Sequence, residues 1–398
     1  MDLRLPNDVA FILNRLQNAG STAYAVGGCV RDRLLGNEPK DWDVATSATP
    51  AQVLGLFPNT FETGIKHGTV TVVLNKKNYE VTTYRVDGIY LDGRRPESVS
   101  FATGIEDDLS RRDFAMNAIA YNPSDGFVDP FGGRRDVEKK IIRCVGDADK
   151  RFAEDALRTL RAVRFASQLG FRIEAATLEA IKQNAERLSL VSAERVKDEL
   201  DKILTGKYPR ALTLLGETNL LPHAVRASGF EFDLQQIAER LERCPKESAA
   251  AFALFLLGTG GECKKIIRGL RFDNKTTRET SAYVKMIPHK IENDAYEIKK
   301  ILRFLPPERF YKLIELKEIV GAESEEELFR LRESLDQILE RGECFDLKRL
   351  AVNGRDLAEA GIPAGKETGD ALELLLDAAM REPSLNEKDK LIKFLKSD

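Results

Sequence analysis

Two aspartates one residue apart, Asp41 and Asp43, follow a glycine pair, Gly27 and Gly28, in YAVGGCVRDRLLGNEPKDWDVAT, residues 24–46. In an extended segment side chains alternate between faces, so the two carboxylates project together while Trp42 and Val44 turn away. At that spacing they repel each other unless a cation or an arginine joins them. Magnesium takes one or two carboxylates, keeps some waters and completes its shell with substrate phosphates, and a pair of such ions can clamp the oxygens of a phosphoryl displacement. The glycines fit a turn where backbone N–H groups approach phosphate, with a helix opening over residues 30–35. Taken alone, the acidic pair fits a solvated strand edge equally well. Glu80, in YEVTTYR, can stand beside the aspartates if its strand neighbours theirs.

A second group lies in EDALRTLRAVRF, residues 154–165. Asp155, Arg158, Arg161 and Arg164 are spaced by three, which on one helix sweeps them around a single side. Leu157, Leu160 and Val163 fall about 200° from the charged positions at 3.6 residues per turn. A helix packed on its leucine side would therefore present Asp155 and the arginines to a cleft, although a solvated face of ion pairs explains the same spacing. Between the two groups, DLSRRDFAMNAIAYN carries Arg111 and Arg112, two adjacent arginines that leave a helix in different directions, so that one can reach a ligand while the other braces the protein.

The elements that must position these residues read as follows. Residues 7–19 form a helix capped by Asn7 and ended by Gly20, and Thr49 and Pro50 start another that runs through Leu56. Residues 68–85 alternate like two strands joined by a turn at 75–78. From about Glu106 the pattern becomes almost wholly helical. Residues 85–96, with Gly88 and Gly93, read as a mobile loop between strands. GTGGE, residues 258–262, lacks the preceding strand and glycine spacing of a dinucleotide loop.

At 398 residues, with 42% hydrophobic and 31% charged content, the chain reads as a globular protein of two to three domains. A formal charge of −3 does not mark a nucleic-acid binder by itself, so local basic clusters carry that signal. The five cysteines form no C-x-x-C pair, which argues against a disulfide framework or zinc site and suits a reducing cytoplasm. No apolar run reaches the length of a membrane span.

GG-x-VRD-x-LLG followed by D-x-D-x-AT resembles the opening of the class II tRNA nucleotidyltransferases, a family that includes CCA-adding enzymes and bacterial poly(A) polymerases. The resemblance implies an α+β chain: a polymerase-β-like mixed head over residues 1–145, then an all-α neck (146–205), body (206–325) and tail (326–398). It implies that Asp41 and Asp43 bind Mg2+, with Glu80 as a third catalytic carboxylate. Gly28, Arg31 and Arg112 would hold the triphosphate. Asp155 and Arg158 match the E-D-x-x-R motif that reads the Watson–Crick edges of CTP and ATP, and Arg161 and Arg164 would shape that pocket or reach phosphate. A carboxylate accepts from the exocyclic amine that both bases carry and repels the carbonyl of uracil or guanine.

SLVSAERVKDELDKIL, residues 189–204, resembles the family's S-x-E-R element, which braces the base-reading helix; DPFGGRRD, residues 129–136, resembles its hinge. The 85–96 loop is of a kind present in family members that add adenosine, and residues 351–379 resemble the tail of the Bacillus-type enzymes. The implied function is template-free addition of the 3′-terminal CCA to tRNA from CTP and ATP. An adenosine-only enzyme, a poly(A) polymerase and a silent RNA-binding protein are the alternatives. The implied partners are tRNA and the two nucleotides, with no membrane, and a homodimer as in some relatives.

Overall fold

The structure is a computed structural model that describes residues 3–87, 99–102, 104–227 and 231–397. Most of the loop expected at 85–96 lies outside the described residues.

The chain divides into two compact units. The first comprises residues 1–229 and 269–271, and the second residues 230–268 and 272–398. The first unit begins with α1 (Asn7–Asn18), whose Val9, Ile12, Leu13 and Leu16 are buried. Its N-cap is Pro6, without a side-chain cap bond, so Asn7 is the first helical residue and not the cap expected of it. Then come β1 (Ala23–Val26), α2 (Gly28–Leu34), β2 (Asp43–Thr46) and α3 (Pro50–Leu56), the last closed by a Thr49–Gln52 capping box. Strands β3 (Thr60–Gly64), β4 (Thr69–Leu74) and β5 (Lys77–Thr83) follow, and Asn75 and Lys76 turn β4 into β5 with positive φ at both positions. The short ribbon of β6 (Arg85–Asp87) and β7 (Val99–Phe101) precedes α4 (Ile105–Ser110).

The largest sheet has the order β3-β4-β5-β2-β1-β8-β9, where β8 is Ala120–Asn122 and β9 is Gly126–Val128. This hairpin corrects the expectation of a helical chain after Glu106. Ala120 and Tyr121 are buried and pair with β1, so the sheet needs them as a strand to cover its far side. Only β2 and β5 run parallel within it; the other pairs are antiparallel. Tyr24, Val26, Ala45, Tyr84 and Leu109 pack against Ala115, Ala118 and Val145, which fastens the sheet to the segment carrying the adjacent arginines.

Helices dominate thereafter: α5 (Gly133–Lys139), the two-residue strand β10 (Ile141–Ile142), α6 (Ala148–Glu154), α7 (Leu157–Leu169), β11 (Arg172–Ile173), α8 (Ala175–Gln183) and α9 (Ala193–Leu204). Gly133 is indispensable to that path, because a Cβ there would lie 2.0 Å from the Ala115 carbonyl oxygen. The second unit is helical throughout its described residues. Leu357, Leu375, Leu376, Ala379 and Leu391 form one of its cores, and two lysines are buried there against carboxylates: Lys299 with Glu343, and Lys317 with Glu323 at 2.6 Å. No helix of the described residues is long and apolar enough to cross a membrane.

Candidate active site

The register of the central strands assembles the acidic corner. Val26, the last residue of β1, pairs with Asp43, the first of β2, and Asp43 pairs on its other side with Glu80 of β5. The glycine turn after β1 and the third carboxylate therefore meet beside Asp43 on the central strands, with Asp41 two residues before Asp43. Asp41 precedes β2 instead of lying within it.

Asp43 is exposed by area but sits in a concave cleft wall. Its crowded surroundings raise its pKa above the ordinary carboxylate value, Glu80 adds to the rise, Arg112 opposes it, and Asp41 raises it further. Among the described residues, none of these three carboxylates is in an ion pair, and no three His, Cys, Asp or Glu side chains form a group able to hold a metal unaided. Two carboxylates that are in no ion pair with a protein cation suit a divalent cation that draws its remaining ligands from water and substrate phosphate.

Gly27 adopts φ +81°, and a Cβ there would meet Arg112 Nη1 at 2.6 Å. The positive φ requires glycine for the turn, and the missing Cβ also leaves room for the end of the Arg112 side chain. Arg111 and Arg112 do not divide into one brace and one free reacher. Both hold the buried Asp108, at 2.6 and 3.1 Å, and both line the cleft. Burial alone would raise the Asp108 pKa, but Arg112 and Arg111 together outweigh it and leave the group below its ordinary value.

The cleft encloses about 540 Å³ and runs from Gly28, Arg31 and Asp43 to Asp155, Arg158 and Arg161. Arg31 Nη1 donates to Asn117 Oδ1 at 2.6 Å, Asn117 Nδ2 donates to Asp113 Oδ1 at 3.1 Å, and Arg161 Nε donates to Asp113 Oδ2 at 2.9 Å. This chain of bonds ties α2 to α7. Burial would raise Asp113, yet Arg161 and Asn117 hold it well below the usual range.

The expectation of a single helix through Asp155 is corrected. The first helix ends at Glu154, Asp155 is extended at φ −146°, and α7 starts at Leu157. The Asp155 carboxylate caps the new helix by accepting from the Leu157 N–H at 3.1 Å, which is a better use of a short acidic side chain than a mid-helix position. From Arg158 onward the helical spacing holds, with Leu157, Leu160 and Val163 buried opposite. Burial of each is worth about 1.5–3 kcal/mol. Arg158 is itself buried, bonded to Glu154 and to the Arg111 carbonyl.

Residues on α9 complete the cleft. Arg195 makes two bonds to Asp155, at 3.2 and 2.7 Å, and the buried Glu199 pairs with Arg164 at 2.6 Å and Arg161 at 3.9 Å. Arg164 lies 4.0 Å from the Phe165 ring centroid, and burial followed by the neighbouring Arg161 pushes its pKa down to about 10. Glu199 and Asp108 escaped the sequence reading. A trace was available in the i, i+4 spacing of Arg195 and Glu199, which places both on one face of α9.

A mixed sheet with carboxylates at the start of a central strand, and a glycine turn opposite, defines a nucleotidyltransferase head. The chain matches the family model of the Poly A polymerase head domain over residues 23–143 and a tRNA nucleotidyltransferase domain 2 model over 243–395. It is similar to the CCA-adding enzyme of Geobacillus stearothermophilus, with 41% identity covering 96% of this chain and 95% of that protein. The enzyme of the same name from Leuconostoc mesenteroides is 35% identical, covering 98% and 96%. The crystal structure of the Bacillus stearothermophilus CCA-adding enzyme in complex with CTP superposes with a TM-score of 0.83, covering 98% of this chain and 96% of that one at 35% identity. The chain belongs to the CCA-adding enzyme family of tRNA nucleotidyltransferases.

Proposed function

We propose that this chain adds cytidine, cytidine and adenosine to the 3′ end of tRNA from CTP and ATP, without a nucleic-acid template, and that the cleft of the first unit is where it does so. The observation that carries this reading is that Asp43 and the pair Asp155 and Arg158 line one cavity. One reacting phosphate and one base of the same nucleotide can then be held together.

In this reading Asp41 and Asp43 hold Mg2+, and Glu80, beside Asp43, deepens the negative field that attracts it. When bound, the ion would polarise the α-phosphate and stabilise the departing pyrophosphate. The backbone at Gly28 opens α2 towards the triphosphate, whose charge Arg31 and Arg112 balance. Asp155 selects the base. Its carboxylate has about four lone-pair sites, and three are used by Leu157 and Arg195, which leaves one on Oδ2 for an exocyclic amine. Arg158 keeps N–H donors beyond those given to Glu154 and Arg111, and these can reach a ring nitrogen or carbonyl. Arg161 and Arg164 set the pocket floor.

The division into head (1–145), neck (146–205), body (206–325) and tail (326–398) assigns the last two parts to gripping tRNA by backbone and shape. The buried free cysteines suit work in the cytoplasm.

The test uses tRNA lacking its terminal three nucleotides, each nucleoside triphosphate supplied alone and in combination, magnesium or a chelator, and sequenced products. CTP alone should add two cytidines, ATP should then add one adenosine, and chelation should stop both. Unused CTP would mean an adenosine-only enzyme, and no magnesium-dependent incorporation would reject the assignment.

A further inference from the structure

Positive charge also gathers in a cavity of the second unit. It holds about 670 Å³, more than the cleft of the first unit, and every residue lining it belongs to the second unit. Lys275, Arg278, Arg303, Lys348 and Arg349 face it against two carboxylates, Glu279 and Asp346. Three segments far apart in sequence supply these cations. Lys275 and Arg278 stand three apart near the start of the helix Asn274–Met286 and so share a face, Arg303 follows the helix Ala295–Leu302, and Lys348 and Arg349 come just after the buried Phe345.

Both carboxylates are committed to protein groups. Asp346 accepts from the Lys348 and Arg349 N–H groups at 2.9 and 3.0 Å and from Arg349 Nη1 at 2.7 Å, while Glu279 pairs at 3.1 Å with Arg309, which is outside the lining. Arg303 pairs with Glu373. Lys275, Arg278 and Lys348 are exposed, and among the described residues none of the three has an ion pair or a side-chain hydrogen bond. The cavity therefore keeps a surplus of cations. Phe304 lines it too, 76% exposed, with Arg303 Cζ 5.8 Å from its ring centroid. An open ring beside unneutralised cations complements a ligand that joins a flat base to several negative charges. The volume falls within the range of about 300–1,000 Å³ that small-molecule sites occupy. Cations that converge on one cavity suit a compact polyphosphate, whereas a nucleic-acid backbone needs them spaced along a track.

We propose that this cavity is a second, non-catalytic nucleotide site, which binds a nucleoside triphosphate through its phosphates and the face of its base. Lys275, Arg278 and Lys348 take the phosphates, and Phe304 stacks on the base. Every base has a π-face, so stacking accepts any of them. The site therefore takes GTP, which Asp155 refuses in the function proposed above. The second site goes beyond that function and does not rest on it.

The experiment titrates GTP calorimetrically into the full-length wild-type chain, into a variant carrying Lys275→Ala, Arg278→Ala and Lys348→Ala, and into a separate Phe304→Ala variant. Wild type should bind GTP, and less tightly as KCl is raised. The triple variant should bind it at least about tenfold more weakly, since three charge-assisted contacts are gone. Phe304→Ala should weaken binding by about fivefold or more and leave its dependence on KCl unchanged. Both variants should keep the wild-type kcat and KM for CTP in extending a tRNA transcript that lacks its last three nucleotides. A wild type that binds no GTP rejects the site, and so does a triple variant of unchanged melting temperature that binds GTP as tightly as wild type. A triple variant that loses affinity for the transcript and keeps its affinity for GTP gives the cations to RNA and rejects the site as well. A wild type whose GTP binding depends on these residues, but which does not extend the transcript, rejects the function proposed above and leaves the site standing.

Discussion

The acidic corner and the arginine wall face the same cleft and are built on opposite principles. At the corner, Asp41, Asp43 and Glu80 stand together with no ion pair among the described residues, and burial first, then Glu80, raise the pKa of Asp43 against the opposing Arg112. Along the wall, Arg112, Arg161, Arg164 and Arg195 are each bound to a carboxylate, Asp108, Asp113, Glu199 and Asp155 respectively. A site that awaits an ion must leave its charges uncompensated, whereas a site that measures the shape of a base must hold its groups still. Pairing supplies that stillness, because an arginine fork bonded to a carboxylate loses its freedom before the ligand arrives.

The sharpest break of this comparison is Asp43→Ala. Incorporation of both nucleotides should fall by at least about 10²–10³-fold, the range for removing one preorganised stabilising group, while tRNA affinity stays within about twofold. Loss of one nucleotide only would place Asp43 with the wall. Glu199→Ala should cost about 3 kcal/mol in the unfolding of the first unit, measured by calorimetry, because it leaves the largely buried Arg164 guanidinium without its carboxylate. Asp155→Asn keeps one acceptor but adds a donor that uracil can use, so discrimination between CTP and UTP in kcat/KM should drop by about 1–3 kcal/mol.

Gly27→Ala forces a Cβ against Arg112 at a positive φ, which costs about 1–2 kcal/mol. The KM for CTP and ATP should rise by a similar factor, because in the proposed function the displaced arginine serves both.

The mildest test is pH. Asp108 and Asp113 have folded-state pKa values below their unfolded ones, so the stability they contribute is present above an unfolded value of about 4 and is lost as pH falls towards the depressed values. Asp108→Asn should flatten that acid limb in melting-temperature profiles. Asp43 has the opposite sign, so Asp43→Asn should raise the melting temperature of the magnesium-free chain at neutral pH.

Much of the site was legible because its signals are local. The glycine pair, the acidic pair and the i, i+3 arginines are each defined within a few residues, and backbone geometry fixes where such neighbours point. The hairpin of β8 and β9 was not legible, since three-residue strands have too little period to read and owe their existence to the uncovered side of β1. The break at Asp155 was hidden for a related reason: the three-residue spacing continues through it, and only the bonds from Leu157 and Arg195 make an extended residue there better than a helical one.

The amino-acid order by itself determined which groups this protein has for chemistry and along which short elements they are strung, because alternation in strands and the 3.6-residue turn are properties of the chain. It could not decide that Glu80 stands across from Asp43, or that Glu199 and Arg195 come from a separate helix to hold the arginine wall. Those pairings join residues far apart in sequence, and strand register and helix packing, which only the folded whole fixes, bring them within bonding distance.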